Sequence, residues 1–270
     1  MKFDSLSERM LYYRSLTDYK LMPRSYVLVF LDGRSFSTMI KNKFEKPFDD
    51  NFIEMMNETA VYVCENIPGC KFGYVQSDEI SIVVTDFENR DTDSFFSFRL
   101  NKMLSVIASM ATAKFNNLMT QYMIKNLASD KVVLKAVEDM PLYQFDCKCW
   151  NLPNYEDVFG WFLYRQIDCV RNSKQAAAQA KLSPKQLDKL NTDKQLELLK
   201  ETSGIDWNNY DEGKKYGRFI YREEVEYHTK DSNEPYYRHH WFYHDGFKLT
   251  SDEDYNGRER FDNLNVIPIR

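Results

Sequence analysis

The apolar positions of this chain change their period several times, and each change predicts an element. Leu6, Met10, Leu11 and Leu16 fall near helical spacing behind a Ser5 or Ser7 cap, which predicts a short amphipathic helix over 5–20. Pro23 ends it, and 26–31 is a continuous apolar run, the pattern of a strand covered on both faces. Asp32-Gly33 then turns the chain, and 33–46 reads as a loop or short helix carrying Lys41, Lys43 and Lys46. Phe52, Met56, Ala60 and Val63 mark one face of a helix over 49–66 that Pro68-Gly69 terminates. Two short runs, 71–75 and 80–87, flank the polar turn Gln76-Ser77-Asp78-Glu79 and predict a tight hairpin. Phe96, Leu100, Met103, Leu104, Ile107 and Ala111 predict a second long helix from 93 to about 117, and 142–152 reads as a fourth strand closed by Pro153.

Strand, helix, strand, strand, helix, strand is the order of a split βαβ, ferredoxin-like unit. The expected fold class is therefore α+β: a palm-like antiparallel sheet with both helices on one face, followed by a helical appendage and a C-terminal β-hairpin. The appendage is read from 155–180, where Trp161, Tyr164, Ile167 and Asp168 stand at near-helical steps, from Ser183-Pro184, and from a capping box at Thr192 with Gly204 as its stop. From Tyr216 onward, alternating Tyr, Phe, Trp, Arg and His predict the hairpin, with its turn at 231–233, and the polar tail after Ser251 is expected to be loosely held. Residues 1–153 form the expected catalytic domain and 154–270 the appendage and hairpin, packed against it as one unit.

Composition narrows the classes. An apolar fraction of 43% over 270 residues supports a sizeable core, and a formal charge of −5 argues against a general polyanion binder, so a nucleic-acid partner must be met by local basic patches. The N-terminus lacks a signal-peptide run and no stretch approaches the about 18 apolar residues of a membrane span, so the expected setting is cytoplasmic and away from the membrane. Five cysteines without a C-x-x-C spacing read as reduced thiols. Strand alternation is taken to separate Cys147 from Cys149 and neighbouring histidines among His239, His240 and His244, which argues against soft-metal sites there.

The chemistry is carried by Asp32, at the end of a buried strand, and by Asp78 and Glu79 on the hairpin turn. In a split βαβ sheet the first strand lies beside the hairpin, so Asp32 comes within reach of Asp78, and crowded acids call for a cation. Mg²⁺ suits such a site because it takes one or two carboxylates and completes its shell with water and phosphate oxygens. Two ions about 3.5–4 Å apart would activate a hydroxyl and steady a leaving phosphate, with the Gly33 carbonyl as a further ligand. Backbone amides from Arg34 to Ser37, Lys46 and the mid-helix Lys102 are the candidate phosphate contacts. Arg165, Gln166, Asp168, Arg171 and Asn172 form a second polar cluster, whose alternative reading is a structural hydrogen-bond network. Three functions remain open on these residues: nucleotidyl transfer, a palm-type nucleotide cyclase, and a non-catalytic RNA-binding module.

In order and spacing, Leu31-Asp32-Gly33-Arg34-Ser35-Phe36, Phe44-Glu45-Lys46-Pro47-x-Asp49, Gln76-Ser77-Asp78-Glu79, Phe145-Asp146, Tyr164-Arg165-Gln166-x-Asp168 and Gly204-Ile205-Asp206-Trp207-Asn208 resemble the tRNA-histidine guanylyltransferase family over roughly 20–222. The resemblance implies a palm with two Mg²⁺, ATP and GTP as substrates, tRNA extended in the 3′-to-5′ direction, and a homotetramer built as a dimer of dimers. It implies metal ligands at Asp32, Gly33 and Asp78, an acid important for activity at Glu79, and nucleotide contacts at Asp32, Gly33, Arg34, Ser35, Phe36, Ser37, Lys46, Ser77, Asp78 and Lys102. Arg165, Arg171 and Asn172 are the candidate tRNA contacts. Where histidine-specific eukaryotic members carry His-Ile-Asn-Asn, this chain has Val170-Arg171-Asn172-Ser173, which resembles the guanylyltransferase-like branch that repairs 5′-truncated tRNA on a template. The histidine-specific, untemplated enzyme is the alternative.

Overall fold

The computed structural model describes residues 3–126, 135, 137–229, 232–250 and 255–264. Its helices are α1 (Leu6–Ser15), α2 (Phe36–Lys43), α3 (Asp50–Glu65), α4 (Leu100–Asn126), α5 (Tyr155–Gln179), α6 (Pro184–Leu187), α7 (Thr192–Ser203), α8 (Glu212–Tyr216) and α9 (Tyr255–Asp262). The strands are β1 (Tyr26–Gly33), β2 (Cys70–Gln76), β3 (Glu79–Val84), β4 (Phe145–Leu152), β5 (Arg218–Thr229) and β6 (Ser232–Asp245). They form one six-stranded sheet, ordered β4-β1-β3-β2-β5-β6 and antiparallel throughout. The first four strands have the expected ferredoxin-like order, and the C-terminal hairpin extends their sheet instead of standing apart. Only Arg218–Ile220 of β5 pairs with β2; beyond Ile220 the hairpin strands pair with each other alone.

β1 explains why the sheet is covered on both faces. Val27, Val29 and Leu31 pack into a layer with α3 and α4, where Met56, Ala60, Val63, Met103, Ile107, Ala111 and Phe115 fall at steps of three and four. Tyr26 and Leu28, one residue out of phase, enter a second layer with Phe72, Tyr74, Val158 and Phe162. The palm helices thus share one face as expected, and α5 covers the other. The α5 stripe that does so runs through Val158, Phe162, Arg165, Gln166, Cys169 and Ser173, not through Tyr164 and Ile167, which are exposed. Its aromatic-rich sequence offers two helical faces of similar weight, and the sheet beneath selects between them.

α4 starts at Leu100, later than its periodicity suggests, because Phe96, Ser97 and Phe98 take left-handed backbone angles that interrupt the helix. Within the polar tail, α9 is more firmly held than its polarity suggests, since Phe261 is fully buried among Phe72, Phe159 and Phe162; 251–254 and 265–270 lie outside the described residues. Phe261→Leu is expected to destabilise the whole protein by about 1–2 kcal/mol in urea unfolding, whereas a loosely attached tail would leave the midpoint unchanged. The hairpin turn at 231–233 lies partly outside the described residues.

Candidate active site

The site forms where β1 ends. Register sets Glu79 of β3 opposite Asp32 on one side and Asp146 of β4 opposite it on the other. Directly opposed residues of antiparallel strands project to one face, so three carboxylates line up across three strands, with Asp78 on the adjoining turn. The main chain ties these segments together: the Gly33 amide donates to the Asp78 carbonyl at 3.1 Å. A Cβ at Gly33 would come within 2.5 Å of the Phe36 ring, so only glycine lets β1 turn this closely into α2. Asp146 is the acid that the sequence reading quoted within the family pattern but gave no role. An acid at the first turn-facing position of a strand destined to pair with β1 was the signal that could have found it.

Electrostatics separate these acids into two roles. Burial, followed by repulsion from Glu79 and Asp146, raises the Asp32 carboxyl above the usual carboxylate range. Burial pushes Asp78 up to about 6, with Asp32 and Glu79 adding to the rise and hydrogen bonds from Ser77 and its own amide opposing it. Glu79 is held by a cation: Arg165 Nε donates to its Oε2 at 3.0 Å and Nη2 reaches Oε1 at 2.8 Å, while Gln76 Nε2 adds a bond of 2.9 Å. Arg165 Nη1 also donates to Asp168 at 2.8 Å, and Arg171 closes the chain onto Asp168 at 2.7 Å. Arg165 therefore faces inward as the clamp on Glu79, which differs from the expected tRNA contact; Arg171 and Asn172 are the members of that set on the exposed surface. Gln166 is structural as well, donating to the Tyr216 and Phe247 carbonyls and accepting from the Leu249 amide.

Asp32 and Asp78 are left as neighbouring carboxylates, and among the described residues neither forms an ion pair, although Lys148 and Arg165 act on Asp32 from further away. Together with the Gly33 carbonyl they fit Mg²⁺, which needs few protein ligands and takes the rest from water and phosphate. Among the described residues no group of three or more His, Cys, Asp or Glu is placed to hold a metal ion, so Asp32 and Asp78 with the Gly33 carbonyl would be the whole of the protein's share, and water and phosphate would supply the rest.

Next to the turn is a cavity of about 220 Å³, walled by Phe48, Phe52, Ser77, Asp78, Asn172 and Arg218 among others. Lys46 is exposed on the loop whose neighbours Glu45 and Pro47 also line it. Asp49 fixes that loop, because its carboxylate caps α3 through the Asn51 and Phe52 amides and accepts from the Glu45 amide at 2.9 Å. On the other side of Asp32, the Arg34 amide is already bonded to the Gln144 carbonyl, so the amides left for a phosphate after the turn are those at the start of α2, Ser35 at its N-cap and Phe36 and Ser37 in its first turn.

Lys102 does not join this group. It lies in the first turn of α4 over the Phe96 ring and lines a separate cleft with Arg14 and Arg99, whereas it is Thr112 and Asn116, about 15–20 Å further along the helix, that meet β4 beside the acids. The two thiols of Cys147 and Cys149 are 4.0 Å apart. Residues two apart on a strand share a face, which corrects the expectation that alternation separates them. All five cysteines are free. His240 meets Tyr227, and His244 stacks on Tyr221, in keeping with structural roles.

Comparison with known proteins bears on the same residues. The family model described as tRNAHis guanylyltransferase matches residues 7–153, the stretch that holds all four acids. A tRNA(His) guanylyltransferase of Neurospora crassa is 29% identical over 79% of this chain and 73% of its own. A solved bacterial tRNA(His) guanylyltransferase-like protein in complex with ATP superposes with a TM-score of 0.77 at 33% identity, over 98% of this chain and all of that one. One in complex with GTP gives 0.71 at 32% identity, over 94% and 98%. Its ferredoxin-like order, its acids at the end of β1 and the matched sequence agree: the chain belongs to the tRNAHis guanylyltransferase family.

Proposed function

We propose that this protein is a Mg²⁺-dependent nucleotidyltransferase that adds GTP or another NTP to the 5′ end of tRNA, in the 3′-to-5′ direction and under the direction of a template. The observation that carries the reading is the pair of partly buried carboxylates, Asp32 at the end of β1 and Asp78 on the adjoining turn, each raised by burial and by neighbouring acids. Asp32, Asp78 and the Gly33 carbonyl would hold the divalent ions, which when bound lower the pKa of an attacking hydroxyl and neutralise a leaving phosphate. Arg165 keeps Glu79 fixed and neutralised so that it does not compete for position with Asp32. The first-turn amides of α2 and Lys46 orient phosphate oxygens. The 3′-hydroxyl of the bound NTP then attacks the activated 5′ phosphorus in line; AMP leaves from an end first activated with ATP, or pyrophosphate from a 5′-triphosphate.

Two observations favour templated repair over histidine-specific addition. Val170-Arg171-Asn172-Ser173 stands where the histidine-specific members differ, and the structures that superpose at 33% and 32% identity are guanylyltransferase-like proteins with ATP and GTP. A dimer of dimers and a cytoplasmic setting belong to the same reading. Among the described residues no helix is long and apolar enough to cross a membrane.

Labelled GTP, supplied with Mg²⁺ to tRNA lacking its first 5′ nucleotide, is expected to be incorporated opposite C and not opposite A. Addition to histidine tRNA regardless of the opposing base would replace this reading with the untemplated one. Product formed from NTP without RNA would mark a cyclase.

A further inference from the structure

The face of the sheet that carries the acid row also carries a run of aromatic side chains that the proposed chemistry does not use. Register sets Lys148 of β4 opposite Phe30 and Trp150 opposite Leu28, in step with Asp146 opposite Asp32, so Trp150, Lys148 and the acids project to one face. α5 lays Trp161 onto that face, 5.6 Å from the Phe30 ring and 4.9 Å from Trp150, and a bond from Trp161 Nε1 to Ser81 Oγ at 3.0 Å fixes it there. Tyr164 follows at 5.8 Å from Trp161, and the Arg165 guanidinium that clamps Glu79 lies over its ring at 5.0 Å. A ledge of rings therefore leads from the β4 edge to the clamp on Glu79, which stands opposite Asp32.

Tyr164 is 54% exposed at the end of this ledge, and Ile167, on the next turn of α5, is 60% exposed. Single exposed apolar residues are ordinary, but these two cap an ordered aromatic layer beside the acids. With Arg165 over one face of Tyr164, the other face is left for a flat partner. The charges around it favour a polyanion. Outside the acid row, Asp168 is already matched by Arg165 at 2.8 Å and Arg171 at 2.7 Å. Arg171 lies seven residues from Tyr164, on the same helical face, and Lys148 is exposed with no ion pair among the described residues. An apolar protein surface laid here would have to desolvate both cations, whereas a nucleic acid offers a π-face to the ring and phosphates to the cations.

We propose that Tyr164, backed by Trp161 and Trp150, is the platform on which the terminal base pair of the RNA substrate stacks, with Lys148 and Arg171 available to its phosphates. The 5′ nucleotide has to bring its phosphorus to Asp32 and Asp78, so its base falls beside them, and the ledge is the aromatic surface adjoining that point. The inference rests on the proposed nucleotidyl transfer for RNA as the partner, and it names the residue that holds the end in place. Stacking accepts any base, so the platform positions an RNA end without selecting its sequence.

The test is binding of the full chain, by fluorescence anisotropy without NTP, to two RNAs. One is a blunt hairpin with a 5′ hydroxyl, so that no terminal phosphate held by metal contributes; the other is the same stem closed by a loop at each end. Wild type is expected to prefer the open hairpin about tenfold, Tyr164→Ala to lose that preference, and Tyr164→Phe, which keeps the ring, to retain it. In the transfer assay Tyr164→Ala is expected to raise the KM for RNA about tenfold and leave the KM for NTP unchanged. Should Tyr164→Ala fail to fold, Ile167→Glu places a carboxylate on the same exposed face and is expected to weaken the open hairpin more than the closed one. Wild type without a preference, or Tyr164→Ala that keeps it, would overturn the platform; if that variant also changes the oligomeric state in sedimentation, the face belongs to a second copy of the chain. Loss of the preference in Tyr164→Phe would overturn stacking in favour of a hydrogen bond from the hydroxyl. A preference for the open end without any nucleotide transfer would leave the platform standing and remove the proposed function.

Discussion

Asp78→Asn is expected to reduce nucleotide transfer by roughly 10³-fold or more while making the metal-free protein more stable. The two effects have one origin. Asp78 is half-buried on the turn near Asp32 and Glu79, and its carboxyl is pushed up from 3.8 to about 6. The folded state therefore keeps its proton to higher pH than the unfolded chain does. Below about pH 4 both states are protonated and the group costs nothing; as pH rises toward 6 the unfolded chain ionises first, and stability is lost. Above pH 6 the cost is about 3 kcal/mol, from a shift of about two pH units. Asparagine carries no charge to penalise, so urea unfolding in EDTA is expected to show the variant ahead of wild type at pH 8 and level with it near pH 4. An active Asp78→Asn enzyme would refute the site assignment, and an unchanged pH profile of stability would refute the electrostatic account.

Arg165→Met is expected to cost about 3 kcal/mol of stability and roughly 10²-fold in transfer rate. Removing the guanidinium leaves Glu79 and Asp168 without their shared cation, and Glu79 then repels Asp32 directly across the β1–β3 pair. The stability cost falls at the low end of the range for broken buried pairs because the Glu79 side chain is 22% exposed and partly solvated. Arg165→Lys is expected to rescue little, since an ammonium cannot make the forked contact to Glu79 and still reach Asp168. The decisive measurement is the double variant. Arg165→Met with Glu79→Gln should recover most of the lost stability, whereas additive losses would mean that Arg165 acts through packing over Phe30 and Tyr164.

Particular residues show how far the sequence could be read. The apolar run at 26–31 announced a strand buried on both faces, and β1 is one. Phe52, Met56, Ala60 and Val63 announced the inner face of α3, and all four are buried. Asp32 and Asp78 were recognisable as a pair because strand order alone brings the first strand to the hairpin. Asp146 was quoted within the family pattern but not placed in the site, because nothing local distinguishes an acid that starts a strand from one in a loop until the β1–β4 register sets it opposite Asp32. Arg165 could be read as a tRNA contact or as part of a structural hydrogen-bond network, and Lys102 as a phosphate contact, because a sequence displays charge but not which way a helix is turned, or which end of it meets the site.

Periodicity, breakers and caps act over a few residues, so the sequence by itself determined the elements, their order and the two acids that order must bring together. The covering of the second face by α5, the addition of β5 and β6 to the palm sheet, the inward turn of Arg165 and the bond from buried Arg218 to Asn57 were decided only by tertiary structure. Each depends on contacts between residues far apart in the chain, where burial and electrostatic pairing select one of several local arrangements that are equally compatible with the sequence.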